Sequence, residues 1–385
     1  MLAGTLSRIE VDLDAISFNV QAYKQHIGPQ VEIYAVVKGN AYGHGSVPVS
    51  QAALAAGATR LAVHRLAEGI ELRKAGISTP ILLMGYTPLD GVDLIIQWHL
   101  TPSLITIEFA RALSARASSM GITVPVHIKV DTGMSRFGLL PEEVLDFLRE
   151  LGDLPGIYPE GLFTHFATAD WVDTSFVQQQ LAIFNDVLSA AKRNGFDLPV
   201  CHAANSSAAM RLPETHFNAI RLGIAMYGLD PSDQWLPGFE IRPAMTLKSE
   251  ICRVRDLPPG TGVSYGRTFI TQSKTRAALV PVGYGDGYHR SLSNRGSVLI
   301  HGQRAPILGR ICMDQFVVDI SAIPDVQQED EVVLIGKQGN DQIRAEEVAH
   351  LAGTINYEVT TALLPRIPRL YYRAGQPVYV NNSKD

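Results

Sequence analysis

A chain of 385 residues, 46% hydrophobic and 18% charged, has the balance of a globular enzyme and the length for two domains. A net charge of −5 with no basic stripe argues against a nucleic-acid surface, and no apolar run approaches the roughly 18 residues of a membrane span. Cys201, Cys252 and Cys312 are an odd, scattered set, which argues against a disulfide framework or a metal site and for a reducing compartment. Met1–Arg8 lacks a charged start followed by an apolar core, so no signal peptide is expected and the expected location is the cytoplasm.

A short leading strand at Ile9–Val11 precedes a helix in which Leu13, Ile16, Val20 and Tyr23 share one face. The β-branched run Val31–Val37 then reads as a buried strand. Further strands are expected at Arg60–His64, Ile81–Met84, Pro102–Ile105, Val124–Val130, Gly161–Phe166, Val200–Ala204 and Asn218–Leu222. Helical patterns lie between them at Leu66–Ala75, Ile107–Ser119, Pro141–Leu151 and Ser175–Arg193, the last beginning near a Thr174/Ser175 cap. Such alternation over about 240 residues favours a closed (β/α)8 TIM-type barrel over a doubly wound sheet. Near Pro243 the pattern changes to short β-rich runs broken by proline and glycine: Leu247–Val254, Ala277–Pro281, Val298–Ile300, Phe316–Ile320 and Val332–Ile335. Only Ala345–Leu351 and Tyr357–Leu363 look helical there. The expected division is a barrel over 1–240 and a C-terminal, mostly-β domain over 241–385. The glycine-rich 283–288 segment lacks a phosphate-loop lysine and does not match a dinucleotide fingerprint.

Barrel active sites lie at the C-terminal strand ends. There the first strand delivers Lys38 and Tyr42, and the fifth Lys129, Asp131 and Arg136; the sixth delivers His165, the seventh His202, Asn205 and Ser206, and the eighth Arg221, Gly223 and Ile224. A lysine ending a buried strand loses hydration, which lowers its pKa and frees its amine for carbonyl attack. The bland reading is a lysine that reaches water; the glycine turn after Lys38 and the neighbouring Tyr42 and His44 favour the reactive one. Hydroxyls and glycine-turn N–H groups on the last strands suit a phosphate. A carbonyl trap and a phosphate cradle on one rim suggest pyridoxal 5′-phosphate.

The motifs AVVKGNAYGHG (Ala35–Gly45), HIKVDTGMSRFG (His127–Gly138), THFATAD (Thr164–Asp170), ANS (Ala204–Ser206) and RLGIAMYG (Arg221–Gly228) resemble those of the alanine racemase family. So do VSYG (Val263–Gly266), GYGDGYHR (Gly283–Arg290), GRICMDQ (Gly309–Gln315) and GTINYEVT (Gly353–Thr360). The resemblance spans nearly the whole chain. It implies a homodimeric isomerase that interconverts L- and D-alanine for cell-wall peptidoglycan, with the active site shared between subunits. By that resemblance Lys38 carries the cofactor as a Schiff base and serves as one catalytic base, and Tyr265 from the partner serves as the other. His165 and Arg221 stand behind Tyr265 and by the cofactor ring. Tyr42, Asn205, Ser206, Gly223, Ile224 and Tyr357 hold the cofactor, its phosphate above all. Arg136 and Met313 meet the substrate carboxylate. Lys129 carries a carbamate in many members, and the alternative is an unmodified lysine bridging Asp131. Tyr284, Arg290, Arg310 and Asp314 line the substrate access path.

Gly39-Asn40, Gly285 and the Leu363–Arg366 segment depart from common family versions, which bears on substrate preference and not on the reaction. The other readings are a serine or broad-specificity small amino-acid racemase, and a non-enzymatic pyridoxal-phosphate-binding protein.

Overall fold

Eight parallel strands close on themselves in the computed structural model, which describes residues 5–381. We number them β1 (Glu32–Val36), β2 (Arg60–Val63), β3 (Ile81–Leu83), β4 (Thr101–Leu104), β5 (Val124–Lys129), β6 (Ile157–Phe163), β7 (Val200–His202) and β8 (Ala219–Leu222). Each pairs with its successor, and β8 pairs back onto β1, with Ala219 beside Glu32 and Leu222 beside Ala35. The closed (β/α)8 architecture therefore stands as expected. Its strands are apolar because both faces are covered: Ile33, Leu61, Ile81, Val126, Leu162 and Ile220 are fully buried. Helix Leu13–Ile27 precedes β1, and Leu66–Lys74, Ile107–Ser119, Val144–Gly152 and Ser175–Arg193 lie in the connections, with Ser46–Ala55 and Val92–Gln97 in addition. Helix Ser175–Arg193 begins at the expected Thr174/Ser175 position. Asp173 Oδ1, not Thr174, accepts from the Ser175 N–H at 2.8 Å.

The chain divides into two compact units. One comprises Ile16–Ala41 and Ser46–Ile241 and contains the barrel. The other gathers the described residues of Met1–Ala15, Tyr42–Gly45 and Arg242–Asp385. This second unit is mostly β, and its main sheet has eleven strands. Within it Arg8–Asp12 lies antiparallel to Met245–Glu250 and parallel to Arg369–Arg373. Residues expected as one strand, Leu247–Val254, form parts of two, Met245–Glu250 and Arg253–Leu257, which take different neighbours. Helices Ala345–Ala352 and Asn356–Thr361 complete the unit. No helix among the described residues is long and apolar enough to cross a membrane.

Candidate active site

Strand β1 ends in an unusual turn. Gly39, Asn40, Ala41 and Tyr42 all have φ between 51° and 61°, a left-handed run directly after Lys38. Only glycine enters that region freely, and each other residue costs about 1–2 kcal/mol there, so the turn needs outside anchors. Glu68 supplies one, its Oε1 accepting from the Gly39 N–H at 2.7 Å. The other Glu68 oxygen accepts from His64 and Arg65 N–H at 2.8 Å each, which caps helix Leu66–Lys74. Asn40 Oδ1 accepts from the Ser46 N–H at 3.0 Å and ties down the far side of the turn. One carboxylate thus joins a helix start to the lysine-bearing turn, a role that sequence reading missed.

Burial, followed by the nearby charge of Arg136, pushes the Lys38 ammonium below its ordinary pKa. Lys129 feels the same forces more strongly: burial, Arg221 and Arg136 bring it down to about 8. Its Nζ sits over the rings of Phe137 and Phe163, at 5.1 and 5.6 Å from their centres. Asp131 braces the loop that carries Arg136. Its carboxylate accepts from the N–H groups of Gly133, Ser135 and Arg136 at 2.9–3.0 Å.

Arg221 is nearly inaccessible, yet both terminal nitrogens are engaged. Nη1 donates to His202 Nδ1 at 2.7 Å, and Nη2 donates to the carbonyls of Thr164 and Ala203 at 2.7 and 2.8 Å. Nη2 also reaches His165 Nδ1 at 3.1 Å. Since arginine only donates, His165 Nδ1 accepts and its ring proton lies on Nε2. Burial, then Arg221 and Lys129, hold His165 well below the ordinary histidine range, so it is neutral. Gln180 fixes the His165 loop, donating to the His165 carbonyl and accepting from the Ala167 N–H.

Past β7 and β8 the backbone gathers donors. Asn205 caps helix Ser206–Arg211, its Oδ1 accepting from the Ala208 N–H at 3.0 Å. Ser206, in contrast, turns its hydroxyl toward the β8 loop, where Oγ accepts from Gly223 N–H at 2.9 Å and Ala225 N–H at 3.4 Å. Two loop N–H groups flanking Ile224 thus converge on one oxygen, the arrangement that an oxyanion such as a phosphate needs.

In the mostly-β unit, the rings of Tyr42 and Tyr357 lie 6.1 Å apart, and burial raises the Tyr42 phenol well above its ordinary pKa. Tyr265 is 70% exposed, presented on a turn in which Ser264, Gly266 and Arg267 have φ of 61°, 73° and 48°. Ser264 Oγ locks that turn to the Arg310 carbonyl at 2.5 Å and lies 3.3 Å from Cys312 Sγ. The Arg310 guanidinium packs by Gly266, where even an added methyl would come within 3.3 Å. The 283–288 turn is zipped to the Met313 segment through Tyr284 N–H to Cys312 O and Gly285 N–H to Met313 O. Arg366 then joins the two turns, pairing with Asp286 at 2.5 Å and Asp314 at 2.8 Å. Arg290 opens a separate short turn, Arg290–Leu292. Asp286 and Arg366 had no assigned role in the sequence reading, although both sit in or beside segments it singled out.

A lysine of lowered pKa at the end of one barrel strand, with a serine and backbone N–H groups gathered past the last two, suits a barrel-type pyridoxal 5′-phosphate enzyme. Residues 11–231 match the family model for the alanine racemase N-terminal domain, and residues 244–371 that for its C-terminal domain. The alanine racemase of Carboxydothermus hydrogenoformans is 46% identical over 94% of this chain and 98% of its own. That of Desulfovibrio desulfuricans is 44% identical over 94% and 97%. Among solved structures, alanine racemase from Bacillus anthracis with bound L-Ala-P superposes with a TM-score of 0.92 at 41% identity, covering 98% of both chains. The Clostridium difficile enzyme gives 0.94 at 38% identity over 99% of both. The chain belongs to the alanine racemase family, isomerases that use pyridoxal 5′-phosphate to interconvert L- and D-alanine.

Proposed function

We propose that this chain racemises alanine with two bases, Lys38 and Tyr265, placed on opposite faces of the substrate carbon. A single base would return the proton to the side it left, so inversion calls for two. The observation that carries the reading is the state of Lys38: a buried amine at a strand end, its charge disfavoured by burial and by Arg136. A lowered pKa raises the share of neutral amine, the form that accepts a proton. When bound, the cofactor supplies an electron-withdrawing ring that makes the substrate carbon acidic.

The remaining roles concern binding and orientation. Lys38 anchors the cofactor, while Ser206, Gly223, Ile224, Tyr42, Asn205 and Tyr357 hold it. Arg221 stays protonated, burial lowering it only to about 10, so it offers hydrogen bonds without surrendering a proton at neutral pH. Through its bond to His165 Nδ1 it keeps the Nε2 proton available to a phenol. Arg136 and Met313 receive the substrate carboxylate, and Tyr284, Arg290, Arg310 and Asp314 line its approach. Lys129 becomes a carbamate that pairs with Arg136. The high exposure of Tyr265 supports its working in a partner's site, in a cytoplasmic homodimer that supplies D-alanine to cell-wall synthesis.

Optical rotation, followed with purified protein, pyridoxal phosphate and L-alanine, tests the reading, with L-serine in parallel. Decay of the alanine signal to zero with serine much slower is expected. Equal decay would make the enzyme a broad-specificity racemase, and bound cofactor with no decay would overturn catalysis.

A further inference from the structure

Behind Arg221 a line of polar side chains runs through the barrel to the N-terminal ends of β1 and β2. Glu32 Oε2 accepts from Arg60 Nε at 2.6 Å, and Arg60 Nη1 donates to Glu160 Oε1 at 2.9 Å. Glu160 Oε2 lies 3.1 Å from His127 Nε2, and His127 Nδ1 lies 2.9 Å from His202 Nε2. His202 Nδ1 then meets Arg221 Nη1 at 2.7 Å. Both imidazoles are fully buried, and His202 stacks between Phe163 and Tyr34.

The direction of every bond in this line is forced. Burial keeps both imidazoles neutral, so each ring carries one proton. The hydrogen bond from His127, helped by Arg60, holds Glu160 at about 2, and an ionised carboxylate only accepts. His127 must therefore carry its proton on Nε2, which leaves Nδ1 as an acceptor. His202 then donates from Nε2, and its bare Nδ1 faces Arg221. The opposite sense would set a His202 N–H against an arginine N–H in the space of one hydrogen bond.

We infer that Glu160 and Arg60 are positioning residues for Arg221: through His127 and His202 they set the tautomers that let Arg221 keep its place beside His165. The inference rests on reading Arg221 as part of the racemase site. Reversing the line would push Nη1 off His202 and disturb the Nη2 bonds to Thr164, Ala203 and His165 with it. A buried polar network with one mismatched member loses more than that member's bond.

Glu160→Gln separates this from a merely structural role. Arg60 can only donate, so the glutamine must turn its carbonyl to Arg60 and its NH2 to His127. That reverses both tautomers without changing side-chain volume. Adding Arg60→Met frees the amide to flip, offer its carbonyl to His127 and restore the original sense. Holoenzymes labelled with 15N-histidine report each tautomer by long-range 1H–15N NMR, and the same preparations give kcat and KM. E160Q is expected to move the ring proton of His127 and His202 to Nδ1 and to lower kcat about tenfold, with KM little changed. The double variant is expected to regain both the Nε2 proton and most of the rate. Unchanged tautomers in E160Q, or a double variant weaker than the single one, would overturn the inference. If E160Q does not fold, His127→Asn gives the converse test: Glu160 only accepts and draws the amide NH2, which leaves the carbonyl for His202 Nε2–H. His202 should then keep its Nε2 proton and the variant most of the rate, and loss of the rate with that tautomer intact would overturn the inference. Should the racemase reading itself be wrong, the rates would be absent from wild type while the tautomers still followed this pattern.

Discussion

Lys129 gives the sharpest quantitative test, because its burial has a computable consequence. It is 7% exposed, and burial beside Arg221 and Arg136 brings its pKa from the ordinary 10.5 to about 8. A fall of about 2.5 at 1.36 kcal/mol per pH unit amounts to about 3 kcal/mol of destabilisation when the folded protein holds the ammonium form. Between pH 8 and 10.5 the unfolded chain binds the extra proton, so stability rises with pH across that window. Below pH 8 both states are protonated and the full penalty remains. Lys129→Met keeps the length and removes the charge. In CO2-free buffer at pH 7 the variant should be more stable by up to about 3 kcal/mol, or roughly 6–12 °C in Tm for a barrel of this size. The gain should shrink to nothing as pH approaches 10.5. Bicarbonate should raise the Tm of wild type alone, since only a lysine can become a carbamate and pair with Arg136. Racemisation should fall in the variant despite its stability. A variant that melts at or below wild type in CO2-free buffer at pH 7 would refute the claim that this ammonium is a burden on the fold.

Other tests address the two proposed bases and the turn that follows Lys38. Lys38→Ala should eliminate the borohydride-trapped cofactor adduct, measured by mass spectrometry of the reduced protein; an adduct on another lysine would move the anchor. Tyr265→Phe should slow proton abstraction from L-alanine far more than from D-alanine in single-turnover isotope exchange. Equal losses would refute the two-base assignment. Gly43→Ala should cost about 2–5 kcal/mol, because φ of 86° strains any side chain and the added methyl would run into the Thr360 carbonyl. Thermal unfolding measures this, and a Tm within a degree of wild type would mean that the contact yields freely.

Local signals carried the barrel and little of the second unit's pairing. The β-branched runs locate the barrel strands because burial on both faces demands them, and the helix at Ser175–Arg193 is readable from Leu181, Phe184 and Leu188 on one face. Leu247–Val254 hides its break at Ile251-Cys252, since both flanks have equal β character and differ only in distant partners. Arg369–Arg373 went unnoticed for a related reason: its reason to be extended is Arg8–Asp12, at the other end of the chain. In the site, residues at strand ends were legible because barrels present them there. Glu160 and Arg60 were not, since a pair separated by a hundred positions looks like two ordinary surface charges until the strands are assembled.

The place of Arg8–Asp12 in the sheet also sets a clock. These residues are made well before the strands on either side of them, Met245–Glu250 and Arg369–Arg373. At 5–20 residues per second, the parallel neighbour emerges roughly 20–70 s after its partner. Once Leu222 has been made the barrel has every strand it needs, while both neighbours of Arg8–Asp12 are still to come. Nascent chains stalled after residue 241 should therefore already protect β1–β8 from protease and leave Arg8–Asp12 open to chaperones.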